Sequence, residues 1–289
     1  MQDGVPITLA NMKRLSILIG AAFTGFFIST SNVQAQLPAS LSNNLILAYT
    51  FDGNYDDASG NGNNLSIVSS ISAATNRFGA LNSAIQFDST NSQAQSINNL
   101  PLSGNMNRTI SLWFKIPSTR PEVSSLFGFG VYDLNDYGTV SGLLPLNYND
   151  PRSPNLQLWG HFASTETERI TTIFDTWRNF VYVYQGNVAT SQFYLDGSPL
   201  PTFGTVDNRT NQLNTTLTPL SIGQAGNSVD PFLSTPGAQL DDMYFWDRPL
   251  SSEEVTELYT TQSVHEPSTY ALLLLSGAAS LWALKRRKS

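Results

Sequence analysis

Ile110-Ser111-Leu112-Trp113-Phe114-Lys115-Ile116 is the stretch that decides the fold. Its apolar residues recur at every second position. Ile110, Leu112, Phe114 and Ile116 share one side, and Ser111, Trp113 and Lys115 share the other. Side chains alternate across an extended chain, so this is the period of a strand and not of a helix. The same period returns in Asn155-Leu156-Gln157-Leu158-Trp159-Gly160-His161, read as one strand running through His161. It returns again in Ser191-Gln192-Phe193-Tyr194-Leu195, where Asp196-Gly197 supplies a hairpin turn into Ser198-Pro199-Leu200. Further strands are expected over 45–51, 84–87, 125–131, 177–184, 220–223 and 239–246. Turn-rich stretches at 60–64, 132–138 and 147–154 read as surface loops. One short helix is expected after Ser251, because Ser251-Ser252-Glu253-Glu254 is a capping box followed by the apolar stripe Val255, Leu258 and Tyr259. Many short strands, with neither an internal repeat nor a dividing linker, predict an all-β, two-sheet antiparallel sandwich.

Charge and composition narrow the function. The chain carries a net charge of −7, but six of its basic residues (Lys13, Arg14, Lys285, Arg286, Arg287 and Lys288) sit near its ends. The stretch from Gln36 to Glu266 keeps 9 Lys/Arg against 21 Asp/Glu, a net −12. Phosphate backbones need a basic stripe, so nucleic acid is not an expected partner. There is no cysteine, which excludes thiol catalysis and thiolate metal sites and leaves stability to core burial. The two histidines are His161 and His265, too few for a multi-histidine zinc or iron centre.

The ends of the chain read as an address. Met12-Lys13-Arg14 is a basic start, 15–30 is an apolar run, and Val33-Gln34-Ala35 is a small-x-small cleavage site. Residues 1–35 are therefore expected to be a signal peptide. Asp3 in the segment ahead of the basic residues points to Met12 as the true start. At the other end His265-Glu266-Pro267-Ser268-Thr269 precedes the apolar segment 270–284 and the basic end 285–288. Fifteen residues span only about 22 Å as a helix, short of the roughly 20 residues a bilayer core asks for. The segment suits a temporary anchor, with the basic end cytoplasmic and the body of the chain outside.

Two resemblances follow from these residues. The tail 263–289 resembles the PEP-CTERM sorting signal of Gram-negative bacteria that make exopolysaccharide, with His265 in place of the usual first proline. That resemblance implies recognition by an exosortase-type membrane protease and cleavage near Glu266-Pro267. A plain tail anchor is the alternative. The body, 36–262, resembles the LamG-like jellyroll of the concanavalin A-like lectin/glucanase superfamily. The resemblance is carried by Ala48-Tyr49-Thr50-Phe51-Asp52-Gly53, by Thr109-Ile110-Ser111-Leu112-Trp113-Phe114 and by Phe193-Tyr194-Leu195-Asp196-Gly197. Its most specific part is Leu240-Asp241-Asp242-Met243-Tyr244-Phe245-Trp246-Asp247-Arg248-Pro249-Leu250-Ser251. It implies two antiparallel sheets, one of them curved, with a concave face that binds glycans in relatives. The stretch 127–154 fits no part of the family pattern.

This frame offers three candidate chemistries. The glucanase relatives use a Glu-x-Asp-x-Glu strand, whose paired carboxylates act as nucleophile and acid. Here Glu166 and Glu168 have no acid between them, Asp241 and Asp242 point to opposite faces of an extended strand, and no Gly-x-Ser-x-Gly elbow accompanies His161. No catalytic residue is assigned, and the chain is read as a non-enzyme. A structural calcium ion is implied by the resemblance, with Asp52 and Asp241 as ligands and Asp57 as a weaker one. The alternative is that these aspartates cap turns. A glycan surface is the main candidate. By alternation Trp159, Trp113, Tyr194, His161 and Gln157, with Gln192, line the concave sheet; the alternative is that Trp113 and Tyr194 are covered aromatics. The expected function is an exported, surface-associated, non-catalytic protein that binds cell-surface or matrix polysaccharide. A structural or adhesive envelope protein and a divergent glycoside hydrolase or lyase are the alternatives.

Overall fold

The computed structural model describes residues 37–264, apart from 120–121, 134, 149–150, 207 and 224–232. The expected signal peptide 1–35, Gln36, the sorting residues Glu266 and Pro267, the apolar segment 270–284 and the basic end 285–288 lie outside the described residues. The strands begin with β1 (Leu45–Tyr49), β2 (Leu65–Ser69), β3 (Ile71–Ala74), β4 (Ala84–Phe87), β5 (Gln93–Asn99) and β6 (Arg108–Lys115). They continue with β7 (Phe127–Gly130), β8 (Val140–Leu146), β9 (Asn155–Trp159), β10 (Ser164–Thr167) and β11 (Arg178–Tyr184). The last are β12 (Gln192–Leu195), β13 (Ser198–Leu200), β14 (Thr202–Val206), β15 (Pro219–Ile222) and β16 (Gln239–Trp246), followed by helix α1 (Ser252–Ser263).

These strands form two antiparallel sheets of 8 strands each. The first runs β13-β12-β11-β6-β16-β4-β3, with β1 also paired to β16; the second runs β14-β10-β9-β8-β7-β15-β5-β2. Only Ser70 separates β2 from β3, and only Pro201 separates β13 from β14. Each of these corners passes from the edge of one sheet to the edge of the other, so the chain laces the sandwich along both sides. The all-β sandwich expected from the period of two is the fold observed.

The core is what the alternation buries. From the first sheet come Ile110, Leu112, Phe114, Phe180, Tyr182 and Phe245, and from the second Phe127, Phe129, Leu143, Leu156, Leu158 and Ile222, all at most 0–1% exposed. Phe245 of β16 meets two rings of β7 edge-on, Phe127 at 5.7 Å and 74° and Phe129 at 6.1 Å and 67°. Edge-to-face rings are favoured by their quadrupoles, and these three hold the sheets together at the centre.

Helix α1 forms where the capping box predicts it. Ser251 Oγ accepts from Glu254 N at 3.3 Å, and Ser251 N donates to Glu254 Oε2 at 2.8 Å. Its buried residues Val255, Leu258 and Gln262 lie on one stripe of the helix. Val255 and Leu258 join Val181, Val183, Tyr194, Tyr244, Trp246 and Leu41 in a second apolar cluster on the outer side of the first sheet. With no disulfide available, a core truncation has nothing to offset it. Phe245→Ala is expected to lower unfolding stability by about 3–5 kcal/mol, read as a fall in the urea midpoint at unchanged slope. A loss below about 1 kcal/mol would mean that the two sheets do not depend on this contact.

Candidate functional site

A sandwich has two outward faces, and α1 covers part of one. On the outer side of β6, Trp113 is only 6% exposed. Its Nε1 donates to Gln262 Oε1 at 3.0 Å, and its ring stacks on Tyr259 of α1 at 5.8 Å and 21°. Tyr194 on β12 is 3% exposed within the cluster that α1 closes, and its hydroxyl donates to Gln192 Oε1 at 2.7 Å. The expectation that Trp113 and Tyr194 line one open glycan surface with Trp159 is therefore corrected. They stand on the other sheet, sealed under a helix whose docking side a strand-by-strand period does not reveal.

The outward face of the second sheet collects the remaining candidates. In β9, Leu156 and Leu158 enter the core, so Asn155, Gln157 and Trp159 point out. Gln157 stands opposite Glu166 of β10. The Glu166 carboxylate accepts from Gln157 Nε2 at 2.9 Å and from Asn155 Nδ2 at 3.2 Å, with Arg152 Nη1 at 3.8 Å. Glu168 lies past the end of β10 and is exposed. The groups that meet the Glu166 carboxylate are thus two amides and an arginine. Trp159 is 8% exposed; it packs with Val140, Leu144 and Leu146 of β8 and stacks on Tyr132 at 5.7 Å and 27°.

His161 does not continue the strand. β9 ends at Trp159, and residues 160–163 make the turn into β10. His161 (φ 46°) and Phe162 (φ 57°) are both left-handed. A Cβ at Gly160 would lie 2.2 Å from Ala163 O, so glycine is required where the turn closes. Left-handed backbone costs an L-residue about 1–2 kcal/mol, and tight hairpins therefore favour Asn-Gly at such a pair. The turn is held from outside: Gly138 N donates to His161 O at 2.8 Å, and Arg209 N and Thr210 N donate to Phe162 O at 2.9 and 3.2 Å. The imidazole packs against Tyr132 (4.4 Å), Phe162 (4.6 Å), Tyr137 (6.3 Å) and Trp159 (6.5 Å). Its Nδ1 is 3.0 Å from Asp136 O, while Nε2 is buried without a hydrogen-bond partner among the described residues. Arg209 lies over Phe162 at 4.1 Å and over Tyr137 at 5.3 Å, and donates to the Tyr137 hydroxyl at 2.9 Å. Of the five expected glycan residues, Trp159 and His161 come together here, with Tyr132, Tyr137, Phe162 and Arg209 around them. Gln157 shares the outward side of β9 with Trp159 and stands with Asn155 and Glu166. The only sequence signal for Tyr132 and Tyr137 was a pair of tyrosines in an Asp/Asn/Gly-rich loop.

Comparison with known proteins bears on this arrangement. Residues 88–256 match the family model described as Concanavalin A-like lectin/glucanases superfamily. The chain belongs to that superfamily. No curated protein sequence matches it. Among solved structures it is similar to domain 4 of AbnA, a GH43 extracellular arabinanase from Geobacillus stearothermophilus, in complex with arabinotriose. The TM-score is 0.54 at 20% identity, covering 74% of this chain and 98% of that one. Trypanosoma rangeli sialidase in complex with sialic acid gives 0.53 at 16% identity, over 80% of this chain but only 34% of the sialidase. The binding domain of Paraclostridial Mosquitocidal Protein 1 gives 0.51 at 18%, over 75% and 52% of the two chains. At these identities the likeness is one of fold.

The superfamily resemblance also implied calcium at Asp52, Asp241 and Asp57. The first and last strands do pair, β1 lying antiparallel to β16 with Tyr49 opposite Met243. They bring Asp52 within electrostatic reach of Asp241 and Asp242. The two consecutive aspartates do not diverge as an extended strand would have them. Asp242 has φ 43°, and the register against β6 shifts between Asp241 and Tyr244, a bulge that turns both carboxylates to one side. There Arg77 takes both, Nη1 on Asp241 and Nη2 on Asp242 at 2.6 Å. Calcium needs six to eight oxygens free to converge. The donor set does not fit the ion as it stands, because a guanidinium supplies the countercharge to Asp241 and Asp242. Asp57 stands apart, its carboxylate accepting the backbone N–H groups of Ala48, Ser59 and Asn63, each at 3.0 Å.

Arg77 also ties down α1. Its Nε and Nη2 donate to Gln262 O at 3.1 and 2.9 Å, in the last turn of the helix, where a cation is favoured. Three carboxylates nevertheless share one guanidinium in a buried place. Burial pushes Asp242 up to about 6, the attraction of Arg77 only partly opposing it; burial and the neighbouring Asp242 raise Asp241 well above the usual carboxylate range. Burial raises Asp52 as well. These groups hold protons in the folded chain that the unfolded chain has already released. Their contribution is most favourable below the ordinary carboxylate range and is lost as pH rises through about 6. The melting temperature is expected to be higher at pH 5 than at pH 7.5, with a shallower slope in Asp242→Asn. Parallel curves for the two proteins would show that the slope comes from the net negative charge and not from this cluster.

Proposed function

We propose that this chain is an exported, surface-associated, non-catalytic protein that binds carbohydrate on the outward face of its second sheet, around Trp159, Gln157 and His161. The observation that carries the reading is the composition of that face. Indole and phenol rings stand beside side-chain amides and a buried carboxylate, which are the groups that stack on the C–H faces of sugars and bond their hydroxyls. The superfamily and the similarity to an arabinanase domain bound to arabinotriose support it. Cell-surface or matrix polysaccharide is the partner class this implies. The sorting tail joins the reading at the C-terminal end, with an exosortase-type membrane protease acting near Glu266-Pro267.

One observation favours a second reading. Trp159 is 8% exposed and already stacked on Tyr132, as it would be in a structural or adhesive envelope protein whose aromatic cluster is packing alone. An array of immobilised oligosaccharides, arabinotriose among them, probed with the full-length chain in detergent separates the two. Trp159→Ala is expected to weaken binding about tenfold, the loss of roughly 1.4 kcal/mol; because the indole is 8% exposed and packed, the variant should also melt lower than the parent, and affinity is compared at a temperature where both are folded. Equal affinity in the variant would remove Trp159 from the site, and an array blank for the parent would favour the adhesive reading. The tail has its own test. Mass spectrometry of the protein recovered from the cell surface should find the C terminus near Glu266, whereas retention of Lys285 to Lys288 would identify a plain anchor.

A further inference from the structure

We infer that His161 sets the specificity of this face: its Nε2 accepts a hydrogen bond from a hydroxyl of a neutral sugar, and the left-handed His161-Phe162 turn holds it in position to do so. The inference rests on the carbohydrate-binding reading and goes beyond it by naming the acceptor and the ligand class.

The tautomer follows from the partner. Nδ1 faces the backbone carbonyl of Asp136 at 3.0 Å, and a carbonyl only accepts, so Nδ1 carries the hydrogen. In the neutral ring Nε2 is then a bare acceptor. The residue is 4% exposed and Nε2 meets no donor among the described residues, although buried acceptors are almost always satisfied. The turn is a second and independent sign. A hairpin shaped by stability alone would place Asn-Gly where this one places His-Phe, and backbone strain of this kind collects at binding sites. The surroundings give the ligand its character. Tyr132, Tyr137, Trp159 and Phe162 offer apolar ring faces around the imidazole. A sugar hydroxyl donates to an unprotonated nitrogen; a carboxylate has nothing to donate and is repelled by it. Asp133 and Asp136 on the loop 131–138 add to that repulsion. Arg209 is the opposing charge, and it is turned onto Phe162 and the Tyr137 hydroxyl.

The test uses the full-length chain in detergent, neutral oligosaccharides including arabinotriose, and sialylated oligosaccharides as the acidic arm. The parent should bind neutral members and not sialylated ones. His161→Asn keeps a residue that tolerates left-handed backbone. It should lose about tenfold in affinity, as for one lost acceptor beside a retained stacking surface, with an unchanged circular dichroism spectrum at the assay temperature. Preference for the sialylated arm would overturn the inference and leave the carbohydrate reading standing. So would parental affinity in His161→Asn when Trp159→Ala has lost it. A parent that binds neither arm would overturn both.

Discussion

The bulge at Asp241 and Asp242 is the constraint on which the rest of the sandwich turns. β16 lies at the centre of the first sheet, paired along one edge to β6. Its other edge is divided: Gln239 and Leu240 pair with β4, and Met243 to Trp246 pair with β1. The bulge falls between those halves. It lets two strands from distant parts of the chain share one edge, and it swings a second carboxylate outward beside the first. An unpaired buried carboxylate is costly. The pair needs a cation, and Arg77, at the turn after β3, reaches it from the neighbouring strands. Because the same guanidinium also bonds Gln262 O, the bulge fixes where α1 ends. Edge sharing, charge compensation and helix docking thus depend on one backbone irregularity, in a domain with no covalent cross-link.

Docking the helix makes the two faces of the sandwich unequal. Trp113, Tyr194, Tyr244 and Trp246 would form an aromatic surface if α1 were absent; with it they are core. The second sheet keeps aromatic side chains of its own, arranged around a loop and a hairpin turn. The two sets of aromatics are alike in residue type and opposite in consequence, and what separates them is a helix of 12 residues.

Much of this was legible in the sequence, and the parts that were not share a physical cause. β4, β12 and β16 are found where the alternation puts them, and α1 where its capping box puts it. β2, β3 and β5 were missed because they are edge or near-edge strands with polar or exposed faces, as in Gln93-Ala94-Gln95-Ser96-Ile97-Asn98-Asn99. β8 shows no alternation to read, because all 7 of its residues, Gly142 and Pro145 among them, are buried. Pro145 is tolerated beside β9 because its partner there, Leu156, directs its N–H the other way, to Thr167 Oγ1 at 3.0 Å, so no ladder bond is lost. The site was half legible. Parity placed Gln157 and Trp159 on one side correctly, but parity presumes an extended chain. It failed at His161 and at Asp242, where the backbone turns left-handed in residues that seldom do so.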